Sequence, residues 1–271
     1  MSAHAIAHLG LLDEEAIALD LAAIELAALD HPGIDLSPYR DFLDGLADQL
    51  ATLGRSAFGP EAQAGCLAEL IGQAHGFAGD RIDYDHPDNA DLIRVIDRRR
   101  GLPVALAILY VAAARRVGWN AEALNTPGHV LVRVGPETAS VITDPFNGGA
   151  LLDGQALAAL LERILGAEVA PSAEHIEPMG NRAVLVRLLA NQAGRALQSG
   201  NAERALVLHA RMTAVAPTFP HLWWERARIE LHIGDKAAAR TSLSAMLEVT
   251  REPQLRAHIN ATLDALAASG R

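Results

Sequence analysis

Apolar residues recur at helical spacing through much of the first half of the chain. The first such helix is predicted to begin at the potential cap Asp13 and to end at the break before Pro32. A second helix follows Pro38, and a third covers residues 61–76. The most apolar segment, residues 102–117, predicts a helix buried in the protein core. A membrane span is excluded because the segment is shorter than the roughly 20 residues that cross a bilayer.

The pattern changes at Trp119, where short β-like segments replace the helical spacing. The runs NAEAL, HVLVRV and SVITDPF are separated by turn signals at Pro127-Gly128 and at Gly135-Pro136. Because these strands follow helices instead of alternating with them, the sequence predicts an α+β fold with a small antiparallel sheet. Residues 153–166 then return to a helical pattern.

From residue 181 onward the chain is helical and repeats itself at an interval of 34 residues. Small or apolar pairs recur at this spacing: Ala193 and Ala227, Gly200 and Gly234, Ala205 and Ala239, Met212 and Met246. The spacing resembles the tetratricopeptide repeat, although Gln192 and His209 stand where large apolar residues are expected. We therefore expect two domains, at 1–170 and at 171–271, the second of them all-helical.

Composition narrows the classes of function. The formal net charge of −10 argues against a nucleic-acid partner, which needs clustered positive charge. The single cysteine, Cys66, excludes an intrachain disulfide and fits a reducing compartment. The N-terminus lacks the basic start of a signal peptide, and no apolar run is long enough for a membrane span, so we expect a cytoplasmic location and no membrane partner.

Two polar residues on the predicted hairpin are candidates for chemistry. If HVLVRV and SVITD pair symmetrically about position 136.5, His129 lies opposite Asp144, with Cβ atoms about 5 Å apart. A carboxylate beside an imidazole fixes its tautomer, as in the orienting half of a catalytic triad. The alternative interpretation is a structural hydrogen bond without catalytic use.

These segments resemble a known superfamily. The order GLPVALAILYVAAARRVGW, PGHVLVRV and VITDPFNGG is similar to the transglutaminase-like core. With GFAGDRIDYDHPDNADLIRVIDRRRGLP, and with repeats after the core, the chain resembles the SirB family, transglutaminase-like domains followed by tetratricopeptide repeats. The resemblance implies that His129 and Asp144 are the catalytic His and Asp, and that a nucleophilic Cys opens the preceding helix.

That nucleophile is missing. The helix start that would carry it lies near Pro103, and no Cys, Ser or Thr occurs in residues 101–114. Cys66 lies on an apolar stripe of another helix, where burial makes a thiol unreactive. Thr126 and Thr143 are poorer nucleophiles, since the sequence places no base beside either.

Further polar residues have weaker claims. Asn89, Asp97 and Asn125 stand beside apolar segments and are candidates for lining the same cleft as His129, although caps and turns explain them equally well. Asp88 is the predicted cap of the helix after the loop at 76–86. Asp88 also argues against a calcium-binding loop, because it occupies the sixth position of an EF-hand loop starting at Asp83, where Gly is required. The histidine spacing indicates no metal site, and we expect no cofactor.

The sequence supports two hypotheses from different classes of function, a binding module and an enzyme. The first is a non-catalytic transglutaminase-like protein, a cytosolic interaction or regulatory module that binds a protein or peptide partner through residues 181–271. The second is an amide or ester hydrolase in which His129, oriented by Asp144, activates water. The sequence leaves enzymatic activity open, with the missing nucleophile weighing against it, and it does not indicate the oligomeric state.

Overall fold

The computed structural model describes residues 3–166 and 172–268, which form two compact units. The larger unit runs from Asp13 to Val184. The smaller unit combines the chain up to Leu12 with the chain from Leu185 onward. The division therefore falls inside a helix, whereas the sequence had placed it at residue 170. The predicted boundary itself, at residues 170 and 171, lies outside the described residues.

The larger unit contains six α-helices and the start of a seventh among its described residues. They are α1 (Leu19–Ala28), α2 (Ser37–Leu53), α3 (Pro60–Leu67), α4 (Leu92–Arg98), α5 (Pro103–Arg116), α6 (Gly154–Leu165) and α7 (Asn181–Gln198). The predicted helix at 61–76 is α3 continued by a π-helix over Ala68–Ala74.

Two predicted helix caps are wrong. Asp13 makes no side-chain cap bond, and it precedes a short 3-10 turn while α1 begins later, at Leu19. Asp88 does not cap α4 either. The cap is Asp91, whose Oδ1 accepts from the Arg94 amide at 3.1 Å, because a 3-10 turn over Pro87–Ala90 separates Asp88 from the helix.

The strands form one parallel pair and one antiparallel sheet, which confirms the predicted α+β class. Their bounds are β1 (Ala78–Gly79), β2 (Arg100–Gly101), β3 (Ala121–Leu124), β4 (Leu131–Val134), β5 (Val141–Asp144) and β6 (Ala150–Leu152). β1 and β2 pair in parallel, and the sheet has the order β3-β4-β5-β6.

Helix α5 forms the centre of the larger unit. Every residue from Pro103 to Ala114 is buried, as the apolar run predicted. The helix contacts α1 and α2 on one side and β3 and β4 on the other. Leu160 of α6 packs with Leu124 and Leu131 of the sheet in a second cluster. The sheet thus packs against two helices, and the candidate site lies at the C-terminal end of strand β5.

The smaller unit is built from helices whose bounds repeat. It contains most of α7, followed by α8 (Ala202–Val215), α9 (Pro220–His232), α10 (Lys236–Val249) and α11 (Pro253–Ala268). Helix α10 begins and ends 34 residues after the corresponding ends of α8. Each of these helices follows a glycine with positive φ, Gly200 at 76° and Gly234 at 86°. The C-terminal region is therefore helical, as predicted, with a matching turn in each of two hairpins. None of the described helices is long and apolar enough to cross a membrane.

Candidate functional site

Asp144 is the last residue of β5 and caps the turn that follows. Its Oδ1 accepts hydrogen bonds from the backbone amides of Phe146 at 3.0 Å and Asn147 at 3.3 Å, and its Oδ2 accepts one from the Asn147 side chain. Pro145 has no amide proton and fixes φ at the first position of the turn, where this costs nothing. The segment DPFN therefore folds locally into a cradle for a carboxylate, whose side chain is 1% exposed.

His129 lies in the turn that leads into β4 and reaches this carboxylate. Its backbone amide donates to the Thr126 carbonyl at 3.1 Å, and its Nε2 lies 3.0 Å from Asp144 Oδ1. The ring meets Phe146 edge to face, with centroids 5.8 Å apart, and the side chain is 11% exposed. The structure thus brings together the two residues on which the sequence hypothesis depends.

The strand register behind this contact differs from the prediction. Val134 pairs with Val141 and Val132 with Thr143, so the hairpin is centred one residue later, and His129 lies outside β4. Continued by one residue, this register places Leu131 level with Asp144. Moving the centre by one residue shifts the pairing partner of each position by two residues, which keeps every side chain on its own face of the sheet. His129 therefore approaches the carboxylate as a diagonal neighbour.

The surroundings of Asp144 keep it ionised. Burial raises the pKa of this carboxyl, but the hydrogen bond and charge of His129 and the hydrogen bonds of Asn147 bring the pKa below its usual value. An ionised carboxylate only accepts hydrogen bonds, so a neutral His129 carries its proton on Nε2.

Tyr110 of α5 lies beneath the pair, and the sequence analysis missed it. The residue is fully buried, and its hydroxyl oxygen has no hydrogen-bond partner in the described part of the chain. Burial and then the charge of Asp144 raise the pKa of the phenol, so it stays neutral. The available signal was a tyrosine within an otherwise aliphatic helix.

Gly149 allows this close packing. Its φ is 82°, and a Cβ there would lie 2.7 Å from both the Tyr110 hydroxyl and the Ala68 Cβ. Its carbonyl accepts the Thr143 hydroxyl at 2.7 Å. The second glycine of NGG is therefore required by shape, whereas a Cβ at Gly148 would meet no other atom of the described residues and only its φ of 69° favours glycine there. Thr143 is engaged in holding the turn.

A loop between β1 and α4 borders the site. Asp80 accepts from Arg98 at 3.0 Å, Arg98 also donates to Asn89 Oδ1 at 3.0 Å, and Asn89 donates to the Asp83 carbonyl at 2.7 Å. From this loop, Tyr84 packs edge-on against Phe146, with centroids 5.8 Å apart. Asn89 is therefore a fully buried brace for the loop, and it acts on the site through the loop that it holds.

The other two candidate binding residues lie in different surroundings. Asp97 is exposed on α4, where it accepts from the Tyr39 hydroxyl at 3.2 Å and pairs with Arg94. None of the contacts described for Asp97 involves His129 or Asp144. Asn125 is exposed four residues before His129, and its amide donates to the Glu177 carbonyl at 2.7 Å.

The described residues support neither a reactive cysteine nor a metal site. Cys66 is half-buried on α3, and burial followed by the charge of Glu69 raises the pKa of its thiol. Within residues 3–166 and 172–268, no three His, Cys, Asp or Glu side chains are grouped to hold a metal ion.

Comparison with known proteins identifies the core. The profile of the transglutaminase-like superfamily matches residues 37–190, more than half of the chain. A protein named UPF0162 from Xylella fastidiosa (strain 9a5c) is 28% identical over 244 residues, which cover 89% of this chain and 87% of that protein. The UPF0162 protein PA3419 of Pseudomonas aeruginosa is 28% identical over 257 residues, covering 94% and 93%.

Similarity to other proteins is shorter or weaker. Human F-box only protein 21 is 39% identical over 57 residues, which are 21% of this chain and 9% of that protein. Among solved structures, menin aligns over 92% of this chain and 70% of its own, with a TM-score of 0.41 and 14% identity, too low to support a structural argument. By the match over residues 37–190, the chain belongs to the transglutaminase-like superfamily.

Proposed function

We propose that this chain is a non-catalytic, SirB-type member of its superfamily that binds a peptide or acyl-like group without turning it over. One observation carries the proposal: the His129–Asp144 pair is intact, while α5 opens with Pro103 and contains no Cys, Ser or Thr up to Ala114. Proline is well suited to a first helical turn, but it cannot attack a carbonyl. A preserved orienting pair beside an absent nucleophile fits recognition without a covalent step.

The helical C-terminal part supplies a second binding element in this proposal. We assign it to the tetratricopeptide type, supported by the 34-residue spacing of α8 and α10 and by buried small residues such as Ala205 and Ala239 at equivalent positions. Repeats of this kind bind segments of other proteins. The protein is then a cytoplasmic interaction or regulatory module whose protein or peptide partner binds through residues 181–271, with neither nucleic acid nor membrane as a partner.

Hydrolysis is the second candidate, and the contact of Nε2 with Asp144 favours it. That contact orients His129, which in this candidate acts as a general base toward water. The two candidates differ in what His129→Gln does to turnover.

The test restores the missing thiol. In a Cys66→Ser background, thiolate formation in the single variants Pro103→Cys, Val104→Cys and Ala105→Cys is followed by ultraviolet absorbance across a pH series, because these positions are buried and a reagent would not reach them. At least one new thiol should ionise well below its ordinary pKa of about 8.5, and should lose this shift when His129→Gln is added. If none does, the start of α5 is not the vacant attacking position and the proposal fails.

The natural chain provides the matching control. With p-nitrophenyl acetate and an N-blocked Gln-Gly dipeptide, it should release product no faster than His129→Gln. Turnover that disappears in His129→Gln, with an unchanged melting temperature, would establish the hydrolase instead.

A further inference from the structure

Two adjoining cavities form a groove along the outer edge of β3, and no residue of the His129 site lines them. Their volumes are about 470 and 390 Å³, and they share the side chains of Arg115 and Glu122. The first also contains Glu14 and Glu15, and the second contains Trp119, Arg133 and Glu137. Each has the volume of a small-ligand site, and together they form a longer channel, here called the β3 groove.

The backbone edge of β3 is already occupied, which decides how the groove can recognise a ligand. The Ala123 carbonyl accepts from the Met179 amide at 2.8 Å, and the Asn125 amide donates to the Glu177 carbonyl at 2.7 Å. The remaining outward carbonyl, that of Ala121, accepts from Arg115 Nε at 2.9 Å. A ligand therefore does not add as a further strand, and recognition depends on the side chains of the groove.

Within the described residues, some acidic side chains of the groove are not neutralised by a neighbouring arginine. Glu14 is paired with Arg182 at 2.8 Å, and Glu122 is paired with Arg133. Arg115 donates to Asn181 at 2.7 Å. Glu15 and Glu137 are exposed and have no ion pair in the part of the chain that the structure describes. Residues 13–184 carry 26 acidic and 12 basic side chains, a formal charge of −14, so the field around the groove favours a cationic ligand.

A segment with one exposed apolar side chain contacts the lining of the second cavity. Its Phe58 is 87% exposed. A Cβ at Gly54 would lie 2.4 Å from the Trp119 ring, and Pro60 lies against Gly135. An exposed phenylalanine on a segment that contacts the cavity lining, together with Trp119 and two arginines in that lining, has the composition of a protein-binding surface.

We propose that the β3 groove docks an extended segment of a partner protein in which Lys or Arg side chains alternate with apolar ones. The cations contact Glu15 and Glu137, and an apolar side chain packs on Phe58. The combined volume of the two cavities and the position of Phe58 outside them favour a peptide segment over a small amine, which would fill one cavity and leave Phe58 uncovered.

The probe is a fluorescein-labelled hexapeptide of alternating Lys and Leu, titrated with the full chain and followed by fluorescence anisotropy. The double variant Glu15→Gln/Glu137→Gln should weaken binding about tenfold, as expected for two exposed ion pairs. The matched control Asp41→Asn/Asp48→Asn removes the same charge from α2, where neither exposed residue lines either cavity, and should change binding less than about twofold, because salt at about 0.15 M screens charges that make no direct contact. Phe58→Ser should weaken binding about fivefold.

The outcomes separate docking from general attraction to an acidic protein. Equal weakening by the two double variants would show that only net charge matters and would overturn the proposal. So would a wild-type chain that does not bind the peptide, or that binds a Glu-Leu hexapeptide equally well. Circular dichroism of each variant verifies that the helical content is unchanged, since all the substituted side chains are exposed.

Discussion

The Asp144 carboxylate accepts hydrogen bonds from His129, from two backbone amides and from the Asn147 side chain while almost entirely buried. It therefore organises the turn after β5 as well as the imidazole. Gly149 follows in the same turn, where only a residue without a Cβ fits against Tyr110 and Ala68. At the residue scale, the site consists of a carboxylate, the turn that holds it and the ring that it orients.

Replacement of Asp144 should show this directly. Asp144→Ala leaves the amides of Phe146 and Asn147 and the His129 ring without their acceptor, so unfolding free energy should fall by about 3 kcal/mol in urea denaturation. Asp153 also caps a helix, by accepting from the Ala156 amide at 2.8 Å, but it is exposed. Asp153→Ala should cost only about 1 kcal/mol. Equal losses would mean that Asp144 acts as a cap alone.

At the scale of elements, the two helical hairpins of the smaller unit differ at one buried position. His209 of α8 is 34 residues before Leu243 of α10, and both side chains are buried. Burial lowers the pKa of His209, the neighbouring Glu225 raises it, and Arg226 lowers it, with the net shift downward. Its Nδ1 has no partner among the described residues. The imidazole thus occupies, in neutral form, a place that an apolar side chain fills in the next hairpin.

This difference predicts a pH dependence of stability. Because the folded pKa lies below the unfolded value of about 6.5, the unfolded chain binds the proton first, and stability present above that pH is lost as the pH falls. His209→Leu should remove this part of the loss. Urea denaturation of a Trp119→Phe background, in which only Trp223 and Trp224 fluoresce, measured at pH about 8 and about 5.5, gives the comparison.

In this experiment the chain that retains His209 should lose more stability than His209→Leu on acidification. The same loss in both proteins would show that His209 is protonated equally in the folded and unfolded chain.

At the scale of the whole molecule, charge is divided unequally between the two units. Residues 185–271 carry 11 basic and 7 acidic side chains, a formal charge of +4, against −14 for residues 13–184. The smaller unit also exposes Val207 and Ile233, at 46% and 44%. The two units therefore offer surfaces of opposite charge, and partners of different chemistry are expected for each.

The partner of the C-terminal helices is best tested by point substitution. Deletion from residue 181 would remove Asn181, which is buried in the larger unit and donates to the Glu14 carbonyl at 2.9 Å. Val207→Asp and Ile233→Asp should instead abolish co-purification of a stoichiometric partner from the cells that encode the protein. Leu151→Asp, at a side chain 49% exposed on β6, is the control and should retain that partner. Retention by all three variants would contradict binding through the C-terminal helices.

The sequence by itself determined the features that depend on neighbours along the chain. The buried helix at α5, the helical C-terminal region and the α+β class followed from periodicity and turn residues, because these patterns are local. The closeness of His129 and Asp144 was also accessible, since a two-residue error in register leaves both side chains on the same face. The cap at Asp88 was wrong because Asp91, three residues later, caps α4 instead. The cap at Asp13 was wrong because a 3-10 turn over Glu14–Ala16 follows it and α1 begins only after Ala18, a backbone path that the sequence pattern does not report.

Tertiary structure decided whatever depends on residues far apart in the chain. It placed Tyr110 beneath Asp144, packed Ala68 against Gly149, and made Asn89 a brace for the loop rather than a group in the cleft. It set the boundary between the units inside α7 and assembled the β3 groove from segments near residues 14, 120, 135 and 180. No periodicity in the sequence reports such contacts, because their partners are specified by packing in three dimensions and not by spacing along the chain.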